Sequence, residues 1–349
     1  MTNRRLPELD ILRVLAASFV MLYHFTFREP VMNQIPTVTF PIIGTLTRYG
    51  FLGVQLFFII SGFVILMSAE KGTATDFIKN RAQRIYPTFW ICCTITFFAC
   101  LLWGAPVFTP TWYQYFVNMT LMTDFIREYA IDGAYWSIFV EIKFYLLIYL
   151  ILLCKKILKI ELIYFFWIGA IGLFSILPGD HKMTQEFLLA HYAPYFAIGS
   201  IFYLWWQKRA SVISYLTFAI AYAVAVYNTN YEVFVLNRDY HQEYFSIWVY
   251  NIIIASFVVS MFLILTDKIK IKGSKTITQL GLLTYPLYLI HQNIGVLLMK
   301  SLPIEMSGTL IVALACILAI AIAWVVLVSE KHIMQRIFSY KKQTSATIA

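Results

Sequence analysis

The chain is 349 residues long, 60% hydrophobic and only 13% charged, with a formal net charge of +9. Soluble domains carry about 25% charged residues, so this composition excludes a water-soluble enzyme or adaptor and predicts an all-α polytopic membrane protein. The basic surplus recurs in alternate loops, which reports topology, and no nucleic acid is expected as a partner.

Apolar runs of about 20 residues are long enough to cross a bilayer. They predict about ten transmembrane helices, near residues 10–28, 50–68, 85–103, 135–153, 161–177, 187–205, 212–227, 245–265, 276–300 and 308–329. Basic residues gather at Arg4/Arg5, Lys71/Lys79/Arg81/Arg84, Lys155/Lys156/Lys159, Lys208/Arg209, Lys268/Lys270/Lys272/Lys275 and Lys331/Arg336/Lys341/Lys342. The intervening loops hold only Arg28, Arg48, Arg127, Lys182, Arg238 and Lys300. Under the positive-inside rule both termini are cytoplasmic and the number of spans is even. One integral membrane domain is expected over 1–340, with a cytoplasmic tail at 341–349. Arg4 and Arg5 before an apolar run mimic a signal peptide, but the charges inside that run predict an uncleaved first helix.

Those charges are Arg13 and His24, in LDILRVLAASFVMLYHF. At about 100° per residue, eleven steps return a helix to within about 20° of its starting face, and they separate the groups by about 16 Å. One buried stripe thus carries a fixed cation near the inner surface and a titratable imidazole in the outer half. Ionisable residues at that depth cost roughly 2.5–3.5 kcal/mol on insertion scales, so a partner or a chemical task is expected.

The second span, GFLGVQLFFIISGFVI, sets Gly53, Ser61 and Gly62 among bulky aromatics, where small residues admit a neighbouring helix or a slender ligand. Ser61 is a hydrogen-bond donor or a nucleophile. With no base in register on its own helix, packing is the favoured role. In DFIKNRAQRIYP, Arg81 and Arg84 share a helical face near the depth of Arg13. Three guanidiniums at the inner mouth suit phosphate, whose oxygens match the planar fork. The plain alternatives are a positive-inside anchor for the loop pair and neutralisation of Arg13 by Asp10. Pro87 and Pro286 are read near span starts, where proline is tolerated.

The outer loop at about 104–134 is aromatic and proline-containing, which predicts a partly buried cap or re-entrant segment. In the fourth span Glu141 lies about 9 Å below the outer surface. In the ninth, His291 also falls in the outer half. Lys143 points away from Glu141 and snorkels outward. Glu141 therefore needs a partner on another helix, either His24 or His291, and a His–carboxylate pair is what a general base requires. The plain alternative is an interhelical hydrogen bond for each. The five cysteines show no disulfide framework and no metal-ligand spacing, so no metal and no bound cofactor are expected.

Five blocks, in order, resemble the acyltransferase family 3 proteins, integral membrane O-acyltransferases. They are LDILRVLAA with the Arg13–His24 spacing, GFLGVQLFFIISGFVI, RAQRIYPTFW, YWSIFVEIKFY and LTYPLYLIH, and the similarity covers roughly 6–330. The resemblance implies a cytoplasmic acyl-CoA donor, acetyl-CoA above all, and a hydroxyl acceptor on an extracytoplasmic glycan or its lipid-linked precursor. It implies that Arg13, Arg81 and Arg84 meet the CoA phosphates, that His24 is the catalytic imidazole and that Glu141 assists it. Ser61, Trp136, Ser137, Tyr288 and His291 then fall to the acceptor or pocket. A bacterial inner membrane is the implied location. Lys143 stands where an acidic or amide residue is commoner, and Asn293 where a proline often follows the last histidine. Some relatives append a soluble hydrolase-like domain, and none is expected after about Lys331. The rival is a proton-coupled transporter or flippase, but the paired broken helices of such folds are not evident. A glycan polymerase would carry a basic outer loop, whereas 104–134 has only Arg127.

Overall fold

The computed structural model describes residues 6–32, 40–177, 182–242, 244–303 and 305–347, so Arg4 and Arg5 lie outside the described residues. The described residues form helices and no strand. Among the described residues eight helices are long and apolar enough to cross a membrane, which makes this an all-α, multi-pass membrane protein. Ten helices carry the fold: α1 Pro7–Tyr23, α2 Gly53–Ala69, α3 Ala74–Trp103, α4 Trp136–Leu153, α5 Ile160–Ile176, α6 Ala193–Trp206, α7 Val212–Asp239, α8 Ile247–Leu265, α9 Lys275–Ser301 and α10 Gly308–Thr347. Each overlaps one of the ten expected spans. α6, at 14 residues, is the shortest of the ten, and every residue in it but Trp205 and Trp206 is buried.

Helix α1 packs between α2 and α9, and α9 in turn packs on α3 and α10, while α6 joins α2 to α7. Glycine sets the α2–α6 contact. A Cβ on Gly62 would lie 2.1 Å from the Phe196 carbonyl oxygen, and one on Gly199 would lie 1.8 Å from that of Ile59. The two backbones therefore touch, as the small residues of the second span led one to expect. The ring of Phe144 on α4 stacks on that of Phe196 at 4.2 Å between centroids, tying a third helix to the pair.

Several helix boundaries differ from the hydropathy reading; α6 begins at Ala193 instead of 187, and α10 runs on past 329 to Thr347. Helix α3 begins at Ala74, not near 85. A capping box starts it: the Asp76 N–H donates to Thr73 Oγ1 (3.1 Å), and the Thr73 N–H donates to Asp76 Oδ2 (3.1 Å). The polar stretch that follows is helical because it is capped, and hydropathy registers only the apolar part. The earlier start of α3 leaves Pro87 inside it, and Pro286 lies inside α9, eleven residues past a start that hydropathy placed correctly. Helix α7 runs on past residue 227 to Asp239.

The segment before α4 folds back on the bundle. Trp112–Met119 is helical behind a Thr111/Gln114 capping box, and the Tyr115 ring packs on Phe97 of α3 at 4.5 Å. Asp132 is fully buried, and its Oδ2 accepts the Asn293 N–H at 3.0 Å. Asn293 Nδ2 also donates to the Ile131 carbonyl at 2.8 Å. Proline at 293 could not make the first of these bonds. Lys143 donates to Asp124 Oδ2 at 2.7 Å. Both departures from the family pattern therefore fasten this cap to the helices beneath it.

Candidate active site

Two cavities lie along α1 and share a wall. The first is narrow, about 100 Å³, and is lined by Arg13 of α1, Arg81 and Arg84 of α3, Ser61 of α2, Ser137 and Glu141 of α4, and Tyr288 of α9. The α3 helix places Arg81 and Arg84 one turn apart, with Arg81 buried and Arg84 exposed. The Arg81 guanidinium lies over the rings of Tyr145 and Phe77, at 5.7 and 5.8 Å, and its Nε has no hydrogen-bond partner among the described residues. Arg13 donates to Asp10 Oδ1 at 3.0 Å, so one of its five N–H groups is engaged. Three guanidiniums against Asp10 and Glu141 leave the cavity with a positive balance.

Glu141 does not meet an imidazole, contrary to the expectation from depth. Its Oε1 accepts the Ser61 hydroxyl and the Tyr145 phenol, each at 2.8 Å. A helix position estimated along the axis carries no azimuth. Packing turned this face of α4 toward α2 and the arginines. Ser61 thus has a carboxylate partner, supplied by α4 across the helix interface.

The second cavity is about 420 Å³ and is lined by His24 and Arg28, by Trp136, Tyr192 and Tyr231, by Glu232 of α7 and again by Tyr288. That volume is in the range of small-molecule sites. Trp136 packs at a tilt against Tyr192 at 5.1 Å, and Tyr231 stacks on His191 at 5.8 Å, so the walls are aromatic. Glu232 Oε2 accepts the Tyr250 hydroxyl, which itself takes a bond from Gln55 Nε2 at 3.2 Å. Val54 and Tyr288 line both cavities and form the wall between them.

His24 opens a π-helical turn, His24–Arg28, that interrupts the α1 segment. Such widened turns are frequent at functional sites. Its effect here is local. On a regular helix Glu29 would sit about 140° around from His24, but the Glu29 N–H reaches back to the His24 carbonyl across the widened turn. The Glu29 carboxylate is fully buried, and His24 Nδ1 lies 3.4 Å from its Oε1. That oxygen also accepts from Arg28 Nη1 and, at 3.4 Å, from Gln292 Nε2. The carboxylate beside His24 is therefore Glu29, a residue the sequence reading passed over. His291 is buried, its ring 5.1 Å from that of His24. Its Nδ1 faces the Tyr288 carbonyl at 2.8 Å and so carries the proton.

The site residues chosen from sequence thus divide in two. Arg13, Arg81, Arg84, Ser61, Ser137 and Glu141 line the first cavity, His24 and Trp136 the second, Tyr288 both, while His291 buttresses His24. Glu29 and Glu232 were missed. An acid beside Arg28 at a span end reads as interface charge, and ending the seventh span at 227 left Glu232 in a loop. Among the described residues no cluster of three metal-capable side chains occurs.

Sequence comparison assigns this helical membrane bundle, with its arginine-lined pocket and its imidazole backed by a carboxylate, to a family of membrane acyltransferases. The profile of the "Acyltransferase domain" family matches residues 6–328, so the chain belongs to acyltransferase family 3 and is an acyltransferase enzyme. It is 25% identical over 296 residues, 82% of each chain, to a protein of Acidianus two-tailed virus named "Putative acetyltransferase ORF330". It is 28% identical over 173 residues to the O-acetyltransferase OatA of Staphylococcus aureus, a match covering 43% of this chain and 25% of OatA. It is 31% identical over 157 residues to the acyltransferase MdmB of Streptomyces mycarofaciens, covering 41% of this chain and 38% of MdmB. No solved structure matches.

Proposed function

We propose that this membrane O-acyltransferase transfers an acetyl group from cytoplasmic acetyl-CoA to a hydroxyl of an extracytoplasmic or lipid-linked cell-surface glycan. The observation that carries this is the pair of cavities with one shared wall. The first offers cations and a bore suited to a slender arm. The second offers a base and aromatic walls suited to a sugar ring. The name O-acetyltransferase borne by one relative supports acetyl as the acyl group. In this reading Arg84, exposed at the mouth, and Arg81 and Arg13 behind it hold the CoA phosphates through charge-assisted bonds. The pantetheine arm runs past Ser61 and Glu141 toward Tyr288. Glu141, already bonded to Ser61 and Tyr145, shapes this passage and assists indirectly.

Chemistry then occurs at His24. Glu29 accepts a hydrogen bond from the Nδ1–H of His24 and leaves Nε2 as the base, the role a carboxylate plays behind a catalytic imidazole. Nε2 takes the proton of the acceptor hydroxyl as its oxygen attacks the thioester carbonyl. The C–O bond forms, the C–S bond breaks, and the imidazolium returns the proton to the departing CoA thiolate. The alternating basic loops favour cytoplasmic termini, a donor mouth on the cytoplasmic side and a bacterial inner membrane as the location.

Mass spectrometry of the glycan from cells with and without the gene, before and after mild alkali, tests this reading. A base-labile mass difference equal to an acetyl group is expected. Its absence, or transport of glycan across sealed vesicles without ester formation, overturns the proposal.

A further inference from the structure

We propose that Tyr288 is a catalytic residue whose phenol hydroxyl donates a hydrogen bond to the thioester carbonyl oxygen and stabilises the oxyanion formed when the acceptor attacks. The inference rests on the acyl-transfer reading and deepens it. A thioester held by one cavity and attacked from the other has to present its carbonyl at the wall between them. That wall is made by Val54 and Tyr288. Val54 has no polar atom, so the phenol is the side-chain donor at the junction.

The phenol is also set in place before any ligand arrives. Tyr288 is 8% exposed. Its ring meets Phe57 edge-on at 5.9 Å, and its oxygen accepts the Ser137 hydroxyl at 2.8 Å. A phenol that accepts one bond keeps its own proton for a second partner, and the accepted bond polarises that proton further. The backbone carbonyl of the same residue holds the Nδ1–H of His291, whose ring abuts His24. The oxyanion donor and the general base are therefore fastened to one turn of α9. Donors fixed in advance where charge develops are the most effective form of electrostatic catalysis.

In the transfer step the acceptor oxygen bonds to the carbonyl carbon while its proton passes to His24. The carbonyl electrons move onto oxygen, where Tyr288 meets them without giving up its proton. They return as the C–S bond breaks and the CoA thiolate leaves with the proton from His24.

The test uses the full chain in lipid nanodiscs with acetyl-CoA and glycan extracted from cells lacking the gene. Tyr288→Phe keeps the ring and the packing but removes the donor. Turnover is expected to fall about 10²–10³-fold, with the dissociation constant for acetyl-CoA and the melting temperature unchanged. Replacing Tyr288 by 3-fluoro- and 3,5-difluorotyrosine should change the logarithm of turnover in step with phenol acidity, which a packing role would not do. Ser137→Ala should lower turnover about tenfold by releasing the phenol. Turnover of Tyr288→Phe within threefold of wild type, or a fluorotyrosine series without trend, overturns the role of Tyr288 alone. A wild-type protein that transfers no acetyl group overturns the acyl-transfer reading beneath it, and this inference with it.

Discussion

The arginine cavity and the histidine cavity solve different problems with different kinds of side chain. The first collects cations from α1 and α3, with Arg84 exposed and Arg81 lying over two aromatic rings, its Nε without a partner among the described residues. The second rests on a buried network in which His24, Arg28 and Gln292 all point to one oxygen of Glu29. A charge-reading mouth tolerates slack, since several forks share one ligand. A base does not, since its orientation depends on a single carboxylate. Deletions in the second region should therefore cost far more turnover than deletions in the first.

His24→Ala separates the regions most sharply. Loss of the general base is expected to lower turnover about 10²–10⁴-fold while acetyl-CoA affinity holds. Transfer by the purified variant at near wild-type rate would remove His24 from the reaction. Glu29→Gln comes next. It is nearly isosteric and removes the charge behind the imidazole, so turnover should fall about 10–100-fold, as for other charge-assisted bonds. An unaffected Glu29→Gln with a crippled Glu141→Gln would reassign the partner of His24 to Glu141.

On the arginine side the expected effects are smaller. Arg84→Gln should weaken acetyl-CoA binding about threefold to tenfold, and less at high salt, because contacts of an exposed charge are screened. Lysine there should restore only part of the loss, since a point charge has no bidentate fork. Calorimetry showing wild-type affinity would reduce Arg84 to a topological anchor. The smallest effect belongs to neither cavity. Lys143→Met breaks a partly exposed ion pair to Asp124, 27% and 48% exposed. It should lower stability by about 0–1 kcal/mol in a thermal melt. A large loss there would mean that the cap controls the site below it.

The residues legible in sequence were those whose chemistry is conspicuous at membrane depth. Arg13, His24 and His291 stand out because charge or imidazole inside an apolar run demands an explanation, and Arg81 and Arg84 because they share a helical face at the entry to a span. Gly62 was readable for the same kind of reason, since a small residue among aromatics implies close approach, and Phe196 is the atom-level answer. Glu29 and Glu232 were not readable. One lies in a widened turn that an ideal helical wheel misplaces, and the other lies on a helix that outlasts its apolar run.

Composition and periodicity by themselves determined that this chain is a bundle of membrane-crossing helices and which polar groups its interior must accommodate. Both follow from the one-dimensional rule that apolar length and buried charge have fixed costs in a bilayer. Which polar groups meet was decided by tertiary structure alone. Depth along a helix can be counted from residue number, but azimuth depends on packing and on a single π-helical turn. That turn brought Glu29 to His24, and the packing of α4 on α2 gave Glu141 to Ser61.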